Sequence, residues 1–523
     1  MISKIRLLFD TVKHLKIKQM YYQLFYRIMP VKQFKDYHFS GQLIPFKLSF
    51  QSVLPMSPNY LGEGNFIFLN LEKTYTFDNI DWNENCYGKL WNYNLQYLNY
   101  LSQTDINNVD KWYFIQSLQK ALNTGGLPLE PYPVSLRIIN IIRFLNGVDE
   151  SREEVLKNLA AELEYLYQHL EFHIMGNHLL ENAFALTMGV AYFNNAKWYR
   201  KGSEIINAEL REQILDDGAH FELSPMYHQI IFYRVLELID WISNYDQADE
   251  KFKLFLVAVA SKMKSWLMEI SFANGDIPLF NDAAKGITYE TNALLSYADR
   301  LGIMTIDLPL RDSGYRSFKG DRYEVKVDTA QIGADYQPGH AHADALSFIL
   351  YLNDSPLFVE QGTSTYQIGE RRDLERSTQA HNTVVVAGKN QSEVWGGFRV
   401  GKRATTVITR DEASNLEAHH TGYKNLGVLH KRSFKFEPEL IEIQDTLNNQ
   451  VKGVFYLHLH PSRTIQNISE SIFLIDEDVT IIFENALDIK VEEYSYADTY
   501  NQYFAAQRLR VDFAGELQTI LKF

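Results

Sequence analysis

DRYEVKVDTAQIG, residues 321–333, alternates apolar and polar side chains: Tyr323, Val325 and Val327 against Glu324, Lys326 and Asp328. A period of two puts one set on each face of a strand. The same pattern returns in LSFILYLNDSPLFVE (346–360), HNTVVVAG (381–388), RATTVITRD (403–411) and KRSFKFEPELIEIQD (431–445), and it continues in VKGVFYLHLHP, FLIDEDVTIIFE and QRLRVDF. Before about residue 305 the pattern differs. LWNYNLQYLNYL (90–101), VSLRIINIIRFLNGV (134–148), VLKNLAAELEYLYQHLEFHI (155–174), HQIIFYRVLELIDWI (228–242) and FKLFLVAVASKMKSWLMEI (252–270) carry apolar residues three and four apart. That spacing predicts helices, with Gly- and Pro-bearing loops such as NTGGLPLEPYP and ANGDIPLFND between them. Helices first and strands afterwards predict an α+β multidomain chain, with a helical domain followed by an antiparallel β-sandwich.

The 523 residues suffice for two or three cores, and the hydrophobic fraction of 46% marks a folded chain. A net charge of −14 argues against nucleic acid as the main partner. Cys86 is the single cysteine, which excludes an intrachain disulfide and a cysteine-based metal site. The basic, amphipathic N-terminus, MISKIRLLFDTVKHLKIKQMYYQLFYRIM, lacks the apolar core and cleavage site of a secretory signal. It reads as a helix packed on the rest of the protein, with a helix lying on a membrane surface as the alternative. No run is long enough to span a bilayer. By sequence alone the chain is therefore expected in the cytoplasm or at a membrane surface. The oligomeric state stays open.

Three groups of residues could carry chemistry. In GNHLLENAFAL (176–186), His178, Glu181 and Asn182 share a helix face, with Asn177 at the helix entrance. In DDGAHFELSPMYHQ (216–229), Ser224 is an N-cap and Pro225 the first helical residue, so Tyr227 and His228 fall in the first turn. In GHAHADALSF (339–348), read as a strand, His340, His342 and Asp344 point one way. His342 with Glu360 and His381 would form a two-histidine, one-carboxylate site suited to zinc. His458 and His460 are a rival pair on another strand. Arg137 is a candidate for pairing with a carboxylate or sulfate. Trp395 is a candidate for stacking on a sugar, with Arg399, Lys402 and Arg403 nearby.

Taken in order, GNHLLEN, SPMYHQ, GHAHADALSF, VEQGTSTY and AHNTVVV resemble the heparinase II/III family of polysaccharide lyases, and in particular its branch found with capsule and exopolysaccharide genes. The resemblance implies an incomplete (α/α) toroid over residues 76–310 and an antiparallel β-sandwich over 311–523, after an N-terminal helical and extended region over 1–75. It implies β-elimination on a uronic acid within an anionic polysaccharide, leaving a 4,5-unsaturated end. Asn177 and His178 match residues that neutralise the substrate carboxylate, Tyr227 the catalytic tyrosine and His340 the catalytic histidine. Arg137, Glu181, Asn182, Tyr366 and Trp395 are expected to bind substrate. The resemblance assigns His342, Glu360 and His381 to a structural zinc, with Glu360 where an aspartate is more usual. It also implies a periplasmic setting. Two other functions stand beside this one: a glycoside hydrolase on a similar toroid, drawing its acids from Glu181, Asp276 and Asp282, and a carbohydrate-binding or exopolysaccharide-biosynthesis accessory protein.

Overall fold

A computed structural model of the chain describes residues 2–29, 32–38, 54, 57–76, 79–193, 195–243, 245 and 248–523. Two short helices, α1 (Ile2–Val12) and α2 (Ile17–Ile28), come first, and a small antiparallel sheet covers residues 60–74. Among the described residues nine helices follow: α3 (Lys89–Tyr97), α4 (Asn108–Asn123), α5 (Pro131–Asn146), α6 (Glu153–Gln168), α7 (Gly176–Phe193), α8 (Ala196–Gln213), α9 (Pro225–Ile242), α10 (Glu250–Ile270) and α11 (Thr291–Arg300). Their apolar stripes converge on one core that includes Trp91, Ile138, Leu163, Leu180, Phe184, Trp241 and Trp266. Helix α7 packs along α8 and α9 along α10, while α5 packs on both α3 and α7. Among the described residues no helix is long and apolar enough to cross a membrane.

From Tyr315 onward strands dominate, interrupted by one short helix, α12 (Glu370–Glu375). Strands Tyr315–Lys319, Tyr323–Asp328, Phe348–Leu352 and Ser355–Phe358 form a four-stranded antiparallel sheet in sequence order. The register sets Val325 opposite Leu350 and Val327 opposite Phe348. A ten-stranded antiparallel sheet runs from Thr406–Glu412 to Ile465–Ser469, and its longest members are Val479–Tyr496 and Phe504–Lys522. The two sheets face each other across a second core. There Phe318 stacks on Phe436 at 3.9 Å, and Val325, Leu350, Ile443, Leu509 and Val511 are buried. The expected toroid and sandwich are both present.

One local expectation fails. Residues 339–347 are not a strand, because their backbone bonds go elsewhere. The Ala341 N–H donates to Pro338 O at 3.2 Å and the Ala343 N–H to Arg376 O at 3.0 Å. Leu346 has a φ of 64°, which breaks the extended run just before the strand that starts at Phe348. The stretch is a loop held between α12 and the 273–282 loop, where His342 N–H meets Asn281 Oδ1 at 2.8 Å.

Candidate functional site

The site lies where the starts of α7 and α9 meet the 339–347 loop. Helix α9 begins as the sequence predicts: the Ser224 hydroxyl accepts from the Tyr227 N–H at 3.3 Å, and Pro225 follows. Ser224 also donates to Asp282 O at 2.8 Å, tying this helix start to the loop under the histidines. Helix α7 begins at Gly176, whose φ is 58°. A Cβ there would lie 2.7 Å from Glu222 Oε1, so glycine is required both by conformation and by space.

Tyr227 and His340 come from different halves of the chain and stack with ring centroids 3.9 Å apart. Tyr366 is the third member, its hydroxyl 3.2 Å from that of Tyr227. Burial raises the Tyr227 pKa well above its ordinary value, so the phenol keeps its proton at neutral pH. Asn177 donates through Nδ2 to Glu222 Oε2 at 3.0 Å, and the same carboxylate oxygen lies 3.8 Å from His340 Nε2. Glu222, 2% exposed, therefore bridges Asn177 and His340. Sequence reasoning missed it, because a lone glutamate before an N-cap carries no distinguishing pattern.

His178 keeps a partly open ring beside Tyr132, at a centroid distance of 4.3 Å. Its Nδ1 meets Glu171 Oε1 at 3.0 Å. Burial opposes the imidazolium, but the Glu171 carboxylate outweighs it and raises the His178 pKa. Asn182 is fully buried and does not face the cleft. It donates to Glu171 Oε2 at 2.9 Å and to Ser135 Oγ at 3.1 Å, so it holds the residue that holds His178.

Three other expected substrate contacts are corrected by burial and pairing. Arg137 is 1% exposed and gives its Nε to Glu162 at 2.6 Å inside the helical core. Glu181 receives Arg234 Nε at 2.9 Å, which satisfies its charge internally. Trp395 donates its indole N–H to Thr11 Oγ1 at 3.2 Å, and the Arg399 guanidinium lies 4.8 Å from its ring centroid. Trp395 is thus a seat for α1, not an open stacking platform.

Asp282 is the hub beneath the histidines. Its Oδ2 accepts from His340 Nδ1 at 2.9 Å, its Oδ1 accepts from His342 Nε2 at 2.8 Å, and Arg372 grips both oxygens, with Nη2 at 2.6 Å from Oδ2. Burial opposes the Asp282 charge, yet Arg372 and the two histidines hold its pKa well below the carboxylate range. An ionised Asp282 fixes both tautomers: His340 presents a bare Nε2 toward the cleft, and His342 a bare Nδ1 away from it. Since Asp282 is enclosed, Glu181 is paired with Arg234 and Asp276 with Lys285, they supply no facing acid pair for a hydrolase.

His342, Asp344 and His381 bring one ligand atom each to within 4.8 Å of one another. His342 Nδ1, Asp344 Oδ2 and His381 Nε2 are all buried without a hydrogen-bond partner. Three orphaned polar atoms facing one point fit a cation, which would displace the proton that Glu360 favours on His381 by raising its pKa against burial. Burial drives the His342 pKa down to about 3 and pushes that of Asp344 up to about 6, so both resist charging on their own. A small cavity of about 10 Å³ opens beside them, also lined by Asn281 and Asp328. The expected ligand Glu360 stands one step back: its Oε2 binds His381 Nδ1 at 2.5 Å, and its Oε1 receives the Ser347 hydroxyl. The carboxylate of the cluster is Asp344. The rival pair separates, with His458 Nδ1 beside Asn382 Oδ1 at 3.1 Å and the His460 ring packed on Tyr496 at 5.3 Å.

Comparison with known proteins follows this division into two halves. A family model described as heparinase II/III N-terminus matches residues 134–300, and one described as heparinase II/III-like, C-terminal matches residues 306–522. The chain belongs to the heparinase II/III-like family. Similar heparinase-type proteins include a heparin-sulfate lyase of Bacteroides stercoris, 25% identical over 359 residues, which are 61% of this chain and 50% of that protein. A heparin-sulfate lyase of Pedobacter heparinus is 24% identical over 45% of this chain and 40% of its own length. The chain thus spans half or less of the curated relatives it matches. Among solved structures, the heparinase III BT4657 gene product superposes with a TM-score of 0.63 at 18% identity, covering 86% of this chain and 81% of that one. A second heparinase III structure also gives 0.63, at 16% identity over 82% and 76%. These likenesses establish the shared toroid and sandwich.

Proposed function

We propose that this heparinase II/III-like protein is a polysaccharide lyase that cleaves a uronic-acid-containing anionic polysaccharide by β-elimination. The observation that carries the reading is the stack of Tyr227 on His340 across the two domains, with Glu222 linking His340 to Asn177. His340 Nε2, left bare by the bond from Nδ1 to Asp282, takes the proton from C5 of the uronate. The electron pair forms the C4–C5 double bond and expels the glycosidic oxygen from C4. Tyr227, kept protonated by burial, gives that oxygen its proton. The atoms balance without water. His178 and Asn177 supply donors to the substrate carboxylate, whose charge grows as C5 loses its proton. The neutralised carboxyl group is the form in which the C5 proton is most acidic.

His342, Asp344 and His381 would hold a zinc ion, consistent with two imidazoles and one carboxylate. Bound there, the ion would supply charge that ties the 339–347 loop to the 378–386 segment. The division into residues 76–310 and 311–523 is supported by a last toroid helix ending at Arg300 and a first sandwich strand starting at Tyr315. Residues 39–53 of the N-terminal region lie outside the described residues.

The test is incubation with a panel of uronate polysaccharides while following the ultraviolet absorbance of the unsaturated product. Absorbance that vanishes in Tyr227→Phe and His340→Ala supports elimination. New reducing ends without it indicate hydrolysis. No product from any polymer indicates an accessory role.

A further inference from the structure

Helices α1 and α2 are amphipathic in the wrong direction for a soluble surface. On α2, Ile17, Met20, Tyr21, Leu24 and Ile28 follow the three- and four-residue spacing of a single helix face. That face is turned outward: Ile17 is 86% exposed, Leu24 61% and Ile28 72%. On α1, Ile5, Leu8 and Phe9 repeat the arrangement, with Phe9 65% exposed. Among the described residues, eight of the 24 large exposed hydrophobic side chains thus fall within the first 28 positions. Single exposed apolar residues are ordinary, but a contiguous stripe marks a contact surface.

The inward side of these helices makes the polar contacts. Gln19 donates to Ile174 O at 3.1 Å and Tyr26 to Leu170 O at 2.5 Å, while Tyr22 packs on Phe172 at 4.8 Å. Lys16 pairs with Glu212 on the toroid, and Arg6 pairs with Glu393 of the sandwich at 2.5 Å. The two helices are therefore fastened across both domains with their apolar stripe left outside. Their charge distinguishes one occupant from others. Residues 1–36 hold eight Lys or Arg against Asp10 and Asp36, in a chain of net charge −14. Lys18, Arg27, Lys32 and Lys35 are exposed, with Lys18 over the Phe172 ring at 3.9 Å and Lys32 donating to Gln168 at 3.1 Å.

We propose that α1 and α2 form an in-plane docking surface for an anionic lipid bilayer. The apolar stripe enters the headgroup–acyl boundary, and the basic rim meets the lipid phosphates. Phe9 and Tyr21 supply the aromatic groups suited to that boundary.

Sedimentation of the full chain with phosphatidylcholine vesicles, with and without phosphatidylglycerol, tests this. The expected result is pelleting with the anionic vesicles only, weakened by added salt. The Ile17→Glu/Leu24→Glu/Ile28→Glu variant should stay in the supernatant with a melting temperature little changed, since these side chains are mostly exposed. Arg27→Glu/Lys32→Glu should lose the preference for anionic vesicles. Failure of the wild type to pellet overturns the proposal, as does equal pelleting of the triple variant. So does a concentration-dependent dimer that the triple variant abolishes without any vesicle binding, which would assign the stripe to a second copy of the chain.

Discussion

One carboxylate serves both histidines of GHAHADALSF: Asp282 lies 2.9 Å from His340 Nδ1 through one oxygen and 2.8 Å from His342 Nε2 through the other. The proposed base and the proposed metal ligand therefore share an anchor, which Arg372 clamps from behind. Asp282→Asn would present an amide to two imidazoles and release the tautomer of each. Turnover should fall about 10- to 100-fold or more, with metal content falling too, as for loss of a residue that orients a ligand. Stripping the buried Arg372 of its counter-charge costs about 3–5 kcal/mol, so the melting temperature should drop as well. Unchanged turnover and metal content in a folded Asp282→Asn protein would refute the shared-anchor role.

Glu222 should matter for rate more than for binding. It touches Asn177 at 3.0 Å and approaches His340 Nε2 at 3.8 Å, so it lies beside the proposed position of the uronate carboxyl group. Glu222→Gln preserves shape but removes the carboxylate charge that holds Asn177 and faces His340. The expected outcome is a kcat lower by about 10²-fold, within the range of acid–base contributions, and little change in KM. A variant with normal kcat would remove Glu222 from the chemistry.

The metal cluster separates the two carboxylates of its neighbourhood. Asp344 offers a bare oxygen to the point shared with His342 and His381, while Glu360 is spent on His381 Nδ1 and Ser347. Elemental analysis should find the metal absent from Asp344→Ala, and affinity reduced about 10- to 100-fold in Glu360→Gln. The opposite order would restore Glu360 as the ligand.

That exchange of Glu360 for Asp344 shows where sequence reading stops. The switch from a period of 3.6 to a period of two locates the toroid and the sandwich, because burial of one face imprints itself on neighbouring residues. Ser224 and Pro225 mark the start of α9 for a similarly local reason. GHAHADALSF alternates like a strand, but its backbone partners are Pro338 and Arg376, which no local pattern reveals. Which of two carboxylates faces a cluster depends on where each one's hydrogen bonds go, and those partners are remote in sequence. Arg137 and Trp395 look like ligand-binding residue types, yet Glu162 and Thr11 claim them. Asn177, Tyr227 and His340 were legible only as an ordered set of motifs, since no local rule connects positions so far apart.

Acid should unfold this protein early. Burial lowers the pKa of His220 to about 4 and of His228 to about 3, and it also lowers those of His420 and His430. These residues are neutral in the folded state and bind protons on unfolding once the pH drops below their ordinary value of 6.5. A depressed folded pKa gives stability that is complete above the unfolded pKa and lost as pH falls. Each such proton contributes a slope of about 1.4 kcal/mol per pH unit between the two values. Asp445 adds a later loss: burial opposes its charge, but Arg432 and His430 hold its pKa at about 2 against an ordinary 3.8. The urea midpoint should fall from pH 6.5 toward pH 4, and fall further below that. A flat midpoint from pH 7 to pH 5 would contradict the burial of neutral histidines.

Substrate charge is the last discriminator. Sulfated polymers need cations free to meet sulfate, and Arg234, Arg371, Arg372 and Arg376 are already engaged. Arg372, whose guanidinium lies 4.9 Å from the Tyr366 ring centroid, is clamped on Asp282. Arg234 serves Glu181 and Glu237, and Arg371 serves Glu375 at 2.6 Å. Arg376 spends its guanidinium on the carbonyls of Ala341, Gly397 and Arg399. Diverting any of them to a sulfate would strand a buried carboxylate or carbonyl, at a cost that offsets the new pair. An unsulfated uronate polymer should therefore show a kcat/KM at least about tenfold above that of its sulfated counterpart, a difference of about 1.4 kcal/mol. Its salt dependence should be shallow, because few charge pairs form on binding. Faster cleavage of the sulfated polymer, with a steep loss of rate in salt, would mean that these internal pairs open to substrate.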